Sequence, residues 1–316
     1  MAFNDGPVLA LSGGVGGAKL ALGLYRILAP DTLTIVANTG DDFEHLGLTI
    51  CPDLDTLLYT LSGEANPELG WGRRGETWTF MAALEKLGGE TWFRLGDGDL
   101  ATHIERTRRL AAGESLSAIM DDFRWRLGIA ARILPASDDK VRTRLDTDRG
   151  WLDFQDYFVR MRCEPVVRRL EFAGSESARP HPGFLAALAD SNLRAVVICP
   201  SNPFISIDPI LAVPGVREAL RACPAPVVAV SPIIGGKAVK GPTAKMMKEL
   251  GLPVDTAAVA RHYRDFIDIY IADEADRDAI AGLDLPVEHA PTLMVTLKDR
   301  ESLARIVVAA ADRTRR

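Results

Sequence analysis

The sequence contains few cysteines and no long apolar run, and both absences exclude classes of protein. The four cysteines among its 316 residues stand far apart and form no Cys-x-x-Cys pair, which argues against a disulfide framework and against a cysteine metal site. No apolar stretch reaches the length of a membrane span, and the N-terminus lacks the basic-then-apolar pattern of a signal peptide. We therefore expect reduced thiols, a cytoplasmic location and no membrane partner. The cysteines are Cys51, Cys163, Cys199 and Cys223.

An excess of positive charge is also absent. The 37 Lys and Arg residues stand against 43 Asp and Glu residues, which gives a formal net charge of −6 at pH 7. Proteins that bind nucleic acid normally present a basic face, so no nucleic-acid partner is expected. The local basic runs at residues 106–109 and 168–169 are interpreted as solvated faces of a helix or a strand. The remaining composition, 47% hydrophobic and 25% charged, is typical of a globular protein with a substantial core.

The most informative stretch is the glycine-rich turn at residues 9–19, Leu-Ala-Leu-Ser-Gly-Gly-Val-Gly-Gly-Ala-Lys. An apolar run predicts a buried strand at residues 8–11, and the pattern after the turn predicts a helix from Leu20. Strand, glycine turn and helix together present backbone N–H groups to a phosphate, and Lys19 would add positive charge. The match to standard motifs is incomplete, because Lys19 precedes Leu20 and stands where a dinucleotide fingerprint needs glycine. A tight turn without a ligand is the alternative.

Alternating strands and helices predict an α/β fold, a doubly wound, mostly parallel Rossmann-like sheet with an inserted helical cap. Further buried strands are predicted at residues 33–37, 195–199, 227–230 and 266–272. Three helices without intervening strands are predicted at residues 78–87, 100–112 and 116–127, and a β-hairpin at residues 142–158. We assign residues 1–74 and 135–316 to a nucleotide-binding core and residues 75–134 to the cap.

Acidic residues gather near the end of the second predicted strand. Asp41 and Asp42 close the string Asn-Thr-Gly-Asp-Asp that follows this strand, and Asp53 and Asp55 stand at the start of a helix. Ligands of open α/β sheets bind at the carboxyl edge, and one or two carboxylates completed by water and substrate phosphate are what Mg²⁺ prefers. The group therefore predicts a Mg²⁺ site for phosphoryl transfer. Helix caps and turns explain the same residues one at a time.

A second loop rich in glycine and lysine spans residues 231–245, after the strand at residues 227–230. It predicts a second phosphate cradle, with a mobile surface loop as the alternative. Two separate phosphate loops favour a substrate that carries a diphosphate. In the helical block, Asp97 and His103 are candidates for an acid–base step or for anchoring a polar substrate, and a structural role is the alternative for a lone helical histidine.

Seven strings, in order over nearly the whole chain, resemble the 2-phospho-L-lactate transferases, the CofD family. They are Ser-Gly-Gly-Val-Gly-Gly-Ala-Lys at residues 12–19, Asn-Thr-Gly-Asp-Asp at 38–42, Pro-Asp-Leu-Asp-Thr at 52–56, Arg-Leu-Gly-Asp at 94–97, Leu-Pro-Ala-Ser-Asp-Asp at 134–139, Ser-Asn-Pro-Phe-Ile-Ser-Ile at 201–207, and the loop at 231–245.

The resemblance implies a reaction in the biosynthesis of the deazaflavin coenzyme F-420, with Mg²⁺ as the cofactor. The terminal ribityl hydroxyl of the deazariboflavin Fo would attack the distal phosphorus of a guanosine diphosphate-linked acid. GMP would leave, and Fo would be joined to the acid through a phosphodiester. Chemistry of this kind needs positioning and charge neutralisation more than a protein nucleophile. The sequence leaves lactate, enolpyruvate and glycerate open as the acid.

The matching positions imply roles for individual residues. Asp42 and Asp53 would hold the ion, and together with Asp55 they are the candidate catalytic residues. The candidates for contact with Fo are Asp55, Arg94, Asp97 and His103. The candidates for contact with the guanosine nucleotide are Gly13, Gly14, Gly16, Lys19, Asn38, Ser201, Asn202, Pro203, Gly235 and Lys245.

Two departures from the family pattern bear on these roles. Gly98 stands where many members are expected to carry arginine, so one charged contact near the acid or the phosphate is expected to be absent. The lysines after residue 231 vary in the family, so Lys237 and Lys240 are weaker candidates than Lys245.

Two other functions compete with the transferase. A non-catalytic nucleotide-binding or nucleotide-sugar-binding regulator of the gluconeogenesis-factor-like type would share the glycine loop, but it would not need the acidic cluster or the cap. A nicotinamide oxidoreductase is disfavoured, because the Asn-Thr-Gly-Asp-Asp string stands where a lone acidic residue would bind the ribose. For the enzyme we expect a homodimer, since dimers are common among enzymes of this size.

Overall fold

The computed structural model describes residues 6–67, 71–238 and 241–314, and its strands form one large sheet and three small ones. The strands, in chain order, are β1 (Val8–Ser12), β2 (Leu33–Ala37), β3 (Phe43–His45), β4 (Leu48–Ile50), β5 (Arg132–Pro135), β6 (Arg142–Thr147), β7 (Gly150–Asp153), β8 (Val167–Ala173), β9 (Ala195–Ile198), β10 (Val227–Val230), β11 (Ile233–Ile234), β12 (Lys237–Ala238), β13 (Ile269–Asp273) and β14 (Val287–Ala290).

Helices connect these strands and cover the large sheet. They are α1 (Gly14–Ile27), α2 (Pro52–Ser62), α3 (Thr79–Lys86), α4 (Asp97–Ala111), α5 (Leu116–Arg126), α6 (Pro182–Leu188), α7 (Asp208–Leu211), α8 (Val216–Arg221), α9 (Thr243–Glu249), α10 (Thr256–Tyr263) and α11 (Leu297–Thr314). Single π turns lie at Asp156–Arg160 and Pro203–Ile207, and single 3₁₀ turns at Ser175–Ser177, Glu274–Asp276 and Asp278–Ile280. No helix within these described ranges is both long enough and apolar enough to cross a membrane.

The large sheet has seven parallel strands in the order β14-β13-β10-β9-β1-β2-β5. Its inner strands are nearly continuous apolar runs because both faces of a parallel sheet are buried. Successive side chains of β1 point to opposite faces, so Leu9 and Leu11 join one core cluster while Val8 and Ala10 join the other. Helices α1, α2 and α11 pack on the Val8 face, whereas α6, α8, α9 and α10 pack on the other. The predicted doubly wound α/β fold is confirmed.

The strand order reverses between β1 and β9. From β1 the chain builds outward through β2 and β5, and from β9 it builds in the opposite direction through β10, β13 and β14. The connections that follow β1 and β9 therefore lead in opposite directions, and such a reversal is where open α/β sheets bind ligands. The glycine turn follows β1, and the Ser-Asn-Pro string follows β9.

The strands that the sequence analysis missed lie mostly at sheet edges. β5 ends at Pro135, and β14 carries Glu288 and His289, so neither shows the long apolar run of a central strand. The last predicted strand begins at Ile269 rather than residue 266, because the backbone N–H of Phe266 donates to Tyr263 in a turn after α10. The hairpin at residues 142–158 is present as β6 and β7, with β8 as a third strand of its sheet.

The three predicted helices of the cap region are present as α3, α4 and α5. A small core of Ile50, Met81, Leu95 and Leu100 joins α3 and α4 to β4, whereas Met120 of α5 belongs to the core on the Val8 face of the sheet. The division of the chain into core and cap stays a prediction. The interpretation of residues 106–109 as a solvated face is wrong at its first position, because the Arg106 side chain is fully buried. Arg168 and Arg169 are exposed on β8 as expected.

Candidate active site

The loops after β1 and β9 contact each other at the reversal of the strand order, through the glycine turn. The backbone N–H of Gly13 donates to Ser201 Oγ over 3.2 Å, and that of Gly14 donates to Asp53 Oδ1 over 2.6 Å. Helix α1 begins at Gly14, whose φ of +64° lies in the left-handed region that favours glycine. The sequence-predicted residues Gly13, Gly14 and Ser201 are thus neighbours, and Asp53 joins them.

The turn is packed too closely to accept larger residues. A Cβ on Gly13 would lie 2.5 Å from Ser206 Cβ and 2.9 Å from Asp53 Oδ2. A Cβ on Gly16 would lie 2.5 Å from the carbonyl oxygen of Pro200. Glycine is required at both positions because the loop after β9 lies in direct contact with the backbone and leaves no space for a Cβ atom.

Gly13→Ala is expected to impair the turn through its collision with Ser206. Overpacking of this kind costs roughly 1–3 kcal/mol of the free energy of unfolding and displaces the groups around the new methyl. Removing the opposing side chain should relieve the collision, so the double variant Gly13→Ala/Ser206→Gly is expected to recover part of the stability lost by Gly13→Ala alone. Denaturant unfolding of both single variants and the double variant measures this coupling. Additive effects of the two substitutions would contradict it.

The carboxyls of Asp41, Asp42 and Asp53 lie buried beside the turn. Asn38 Nδ2 donates to Asp53 Oδ2 over 3.0 Å, and Asn38 Oδ1 accepts from the Gly40 backbone, which fixes the loop that carries Asp41 and Asp42. All three carboxyls are nearly inaccessible to solvent. Oδ1 of Asp41 and Oδ1 of Asp42 have no hydrogen-bond partner among the described residues. Buried charge without a partner is unfavourable, so these oxygens need a cation or a proton.

Burial raises the pKa of each of these carboxyls. The pKa of Asp42 rises to about 7 despite the nearby charge of Arg142 and a hydrogen bond with Cys51. The pKa of Asp53 rises to about 6, although hydrogen bonds from Asn38 and Gly14 oppose the change. The pKa of Asp41 also rises well above its usual range, through burial and then the charge of Asp53. Without a cation, burial therefore favours the protonated, neutral form of these carboxyls, and a bound cation would take the place of the protons.

This arrangement fits a magnesium ion better than a metal held by protein ligands alone. No group of three or more His, Cys, Asp or Glu side chains in the described part of the chain is arranged to hold a metal ion. Mg²⁺ does not require such a group, because it keeps several waters and is bound through one or two carboxylates and substrate phosphates. The buried, unpartnered oxygens of Asp41 and Asp42 fit that requirement. Both oxygens of Asp53 accept hydrogen bonds from the chain, and its place in the ion site stays a prediction.

Asp55 lies in the same helical turn as Asp53 but faces a different partner. Both of its carboxylate oxygens accept from the guanidinium of Arg106, with Nη1 3.1 Å from Oδ2. Arg106 belongs to α4 and its side chain is fully buried. Because both Asp55 oxygens accept hydrogen bonds from Arg106, this pair connects α2 to α4. Contact of Asp55 with Fo stays a prediction.

His103 extends the same buried network. Its Nδ1 lies 3.7 Å from Asp55 Oδ2, and its Nε2 lies 3.1 Å from Asp99 Oδ2. Asp99 also accepts a hydrogen bond from the hydroxyl of Tyr59, which belongs to α2. His103 is almost completely buried. His103 of α4 therefore lies against Asp55 of α2 inside the buried network, and its contact with Fo stays a prediction.

Arg94 and Asp97 lie on the outer side of this network. The guanidinium of Arg94, an exposed residue, stacks 4.2 Å from the ring centre of Trp78. Asp97 accepts from the backbone N–H groups of Thr79 and Phe80, each over 3.0 Å, and so caps α3. Hydrogen bonds lower the pKa of Asp97, the first being from Thr77. Arg94 is accessible to a ligand, whereas the Asp97 carboxylate is engaged in a cap.

The space beside Gly98 is occupied by two charged side chains. A Cβ on Gly98 would lie 3.0 Å from Glu76 Oε1 and 3.1 Å from Arg73 Nη1. Arg73 Nη1 donates to the Gly98 carbonyl over 3.0 Å, and the Gly98 N–H donates to Glu76 over 2.7 Å. An arginine at position 98 would have to displace this pair, so Gly98 is matched to its surroundings in this chain.

The remaining predicted nucleotide residues divide into two groups. Asn202 Oδ1 accepts from the Phe204 backbone and organises the π turn that begins at Pro203, next to Ser201. Two lysines instead contact protein groups: Lys19 Nζ donates to the Met294 carbonyl over 2.9 Å, and Lys245 Nζ donates to the Pro165 carbonyl and pairs with Glu249. Lys237 is exposed, and Lys240 lies outside the described residues.

The structure adds residues to the site that the sequence analysis did not identify. Ser206 presses on Gly13, Arg106 binds Asp55, and Asp276 accepts the backbone N–H of Gly235 over 2.8 Å. Ser206 belongs to the Ser-Asn-Pro string and could have been found there. Arg106 and Asp276 stand in ordinary polar stretches, and only the three-dimensional structure distinguishes them.

Comparison with known proteins gives one family and a consistent set of relatives. The family model for 2-phospho-L-lactate transferase CofD matches residues 8–307. A protein of Kitasatospora aureofaciens named phosphoenolpyruvate transferase is 42% identical over 320 residues, which cover 98% of each chain. A protein of Streptomyces coelicolor with the same name is 40% identical over 320 residues, with 98% of this chain and 99% of the relative covered. One of Mycobacterium tuberculosis is 40% identical over 332 residues, covering 96% and 98%.

A solved structure shares the architecture. The crystal structure of a UPF0052-family protein from Bacillus halodurans aligns with a TM-score of 0.64 at 14% sequence identity, over 96% of this chain and 98% of that one. At this identity the likeness concerns the fold alone.

Proposed function

Because the chain belongs to the CofD family of 2-phospho-L-lactate transferases, we propose that it transfers a phosphoenolpyruvyl group from a guanosine diphosphate-linked donor to the deazariboflavin Fo. The family resemblance of the sequence motifs is confirmed, and the chain is a transferase of that family. The finer assignment to enolpyruvate, rather than lactate or glycerate, rests on relatives of 40–42% identity that carry the name phosphoenolpyruvate transferase. The product would be an intermediate of coenzyme F-420 biosynthesis. The predicted homodimer is part of this proposal.

In the proposed reaction the terminal hydroxyl oxygen of Fo forms a bond to the distal phosphorus of the donor. The bond from that phosphorus to the bridging oxygen breaks, GMP leaves with the electron pair, and the hydroxyl proton is taken up by a base. The chain has to hold the two substrates in line and to stabilise negative charge. The glycine turn and the Ser-Asn-Pro string, which contact each other at the reversal of the strand order, would bind the guanosine diphosphate.

The observation that carries the proposal is the group of buried carboxyls Asp41, Asp42 and Asp53 beside the glycine turn. Uncompensated buried carboxyls are costly for a protein that only binds an anion, since they repel it. Asp42 and Asp53 would hold Mg²⁺, which when bound neutralises charge on the phosphoryl group being transferred. A regulator that binds nucleotide without catalysis has no use for this charge.

The deciding experiment is a set of incubations. Purified protein, Mg²⁺ and Fo are mixed with guanosine diphosphate linked to enolpyruvate, to lactate or to glycerate, and the deazaflavin product is identified by mass spectrometry. We expect a phosphodiester product with the enolpyruvyl donor in preference to the other two. A product with lactate or glycerate instead would overturn the donor assignment. No product with any donor, although guanosine diphosphate binds, would favour the regulator.

Arg94 offers a test of the acceptor side. It is exposed, and its guanidinium stacks on the ring of Trp78. No described residue forms an ion pair with it. Arg94→Ala is expected to raise the Michaelis constant for Fo about tenfold, the effect of a lost charge-assisted hydrogen bond, and to leave the affinity for guanosine diphosphate within about twofold. Steady-state kinetics with Fo and nucleotide titration measure the two effects. Equal loss of both affinities would mean that Arg94 supports the fold instead.

A further inference from the structure

The hairpin formed by β11 and β12 is held at its tip by a single carboxylate. The backbone N–H of Gly235 donates to Asp276 Oδ2, and that of Gly236 donates to Asp276 Oδ1, each over 2.8 Å. Both glycines have positive φ, +56° and +70°, so their N–H groups converge on one side of the turn. Such a concave pair of backbone donors is a standard site for an anion, and here a side chain of the protein occupies it.

The two partners differ sharply in their exposure to solvent. Gly235 and Gly236 are exposed, whereas Asp276 is only 3% exposed in the 3₁₀ turn after β13. The base of the hairpin is fixed separately, since Ser231 Oγ contacts Thr256 Oγ1 over 2.8 Å and accepts from the Ile233 backbone. An exposed tip buries little apolar surface, so its position depends on these two hydrogen bonds to a carboxylate.

This geometry changes the interpretation of the glycine pair. The sequence analysis predicted that Gly235 contacts a phosphate, but its N–H already donates to the buried carboxylate of Asp276. The hairpin follows β10, which neighbours β9 in the sheet, and so stands at the same carboxyl edge as the glycine turn. Its location suits contact with the nucleotide, while its N–H pair serves as an attachment point.

We propose that Asp276 is a positioning residue for the nucleotide, which fixes the β11–β12 hairpin over the carboxyl edge of the sheet without touching the ligand. The proposal rests on the guanosine diphosphate donor of the proposed function. Loss of the carboxylate frees the hairpin tip, and the ordering of that loop then opposes binding. Asp276 acts on donor affinity and not on the chemical step.

Guanosine diphosphate with Mg²⁺ is the probe for this role. Asp276→Ala is expected to raise its dissociation constant about tenfold, as for the loss of hydrogen bonds to a charged group. Asp276→Asn should raise it less, because one acceptor oxygen is kept. The Michaelis constant for the donor should rise in parallel, while kcat and the Michaelis constant for Fo stay within about twofold. Asp278→Asn, an exposed position in the next turn, is the control and should behave as wild type.

A second readout separates the attachment from the function it serves. Hydrogen exchange at the Gly235 and Gly236 amides is expected to be slow in the wild type and much faster in Asp276→Ala. Faster exchange with unchanged nucleotide affinity would overturn the positioning role and leave the proposed function intact. Tighter nucleotide binding in Asp276→Ala would also overturn it, since the carboxylate would then be a competitor of the phosphate. A wild-type protein that does not bind guanosine diphosphate would overturn the proposed donor together with this role.

Discussion

Asp42→Asn is expected to reduce transfer about a hundredfold or more and, at the same time, to stabilise the metal-free protein above pH 7. The loss of activity follows because the variant removes a charge that we assign to the binding of Mg²⁺ and to stabilisation of the transferred group. The gain in stability follows because the same charge is buried without a sufficient partner. Activity is thus expected to fall while stability rises. Replacing a carboxylate with a purely structural role would instead lower the stability.

The size of the stability effect depends on pH. The ordinary pKa of an aspartate is about 3.9, and burial raises that of Asp42 to about 7. Between these values the native state holds a proton that the unfolded state has released, so the free energy of unfolding falls as the pH rises. Above pH 7, ionisation of the buried Asp42 lowers the free energy of unfolding by on the order of 4 kcal/mol, at roughly 1.4 kcal/mol for each unit of pKa. Near pH 4 this loss of stability disappears, because the carboxyl is protonated in the native state.

Calorimetry at pH 8 and at pH 5 without metal ions measures this difference. Asp42→Asn should melt several degrees above the wild type at pH 8, and the gap should narrow at pH 5. Added Mg²⁺ should raise the melting temperature of the wild type at pH 8 more than that of the variant. Glu44→Gln, two positions away and exposed in a pair with Lys140, is the control and should change neither property much. A variant that keeps its activity, or that melts lower at pH 8, would contradict the assignment.

Breaking the buried pair of Asp55 and Arg106 is expected to have the largest effect on folding. Arg106→Met leaves the Asp55 carboxylate buried without its cation, and Asp55→Leu leaves the guanidinium without its anion. Either change is expected to lower the free energy of unfolding by about 3–5 kcal/mol. The double variant replaces both charges by apolar groups and should be more stable than either single variant, because no unpaired charge remains.

The double variant also separates folding from catalysis. Denaturant unfolding of the wild type, the two single variants and the double variant gives the coupling free energy, and transfer is assayed on the folded double variant. Inactivity of a stable double variant would show that Asp55 or Arg106 takes part in the reaction. Arg108→Met is the matched control on the same helix, since Arg108 is exposed and pairs with Glu105 at the surface. If Arg106→Met and Asp55→Leu were as stable as this control, a buried charge left without its partner would not be the cause of instability.

The parts of the site that sequence could predict are those with a local cause. The glycine turn joins β1 to the first turn of α1, so its position at the carboxyl edge followed from the chain order, as did that of Asp41 and Asp42 after β2. A parallel sheet brings its carboxyl ends together whatever the details of packing. The same logic brings the loop after β9 to that edge, where Ser201 accepts from Gly13, 188 positions away.

The parts that could not be predicted depend on contacts between helices distant in sequence. Arg106 stands in a run of basic residues, and a helical pattern alone assigns such a run to solvent; only the meeting of α4 with α2 turns it toward Asp55. Lys19 and Lys245 look like phosphate ligands because of their glycine-rich surroundings, yet each donates to a backbone carbonyl. The partner of a long, flexible cation is decided by tertiary packing and not by its neighbours in the chain.

The central position of β1 determines when the chain can fold during synthesis. β1 pairs with β9 in the register of Val8 with Ala195, and α1 packs on α11, whose Arg300 carbonyl lies directly against Gly23. β1 can pair with β2 soon after both strands are made, but its other edge has no partner until β9 is synthesised, and α1 has to wait for α11. Contacts so distant in sequence slow folding. The site at the reversal of the strand order, although it begins at residue 13, can be completed only after the loop that follows β9 has been synthesised.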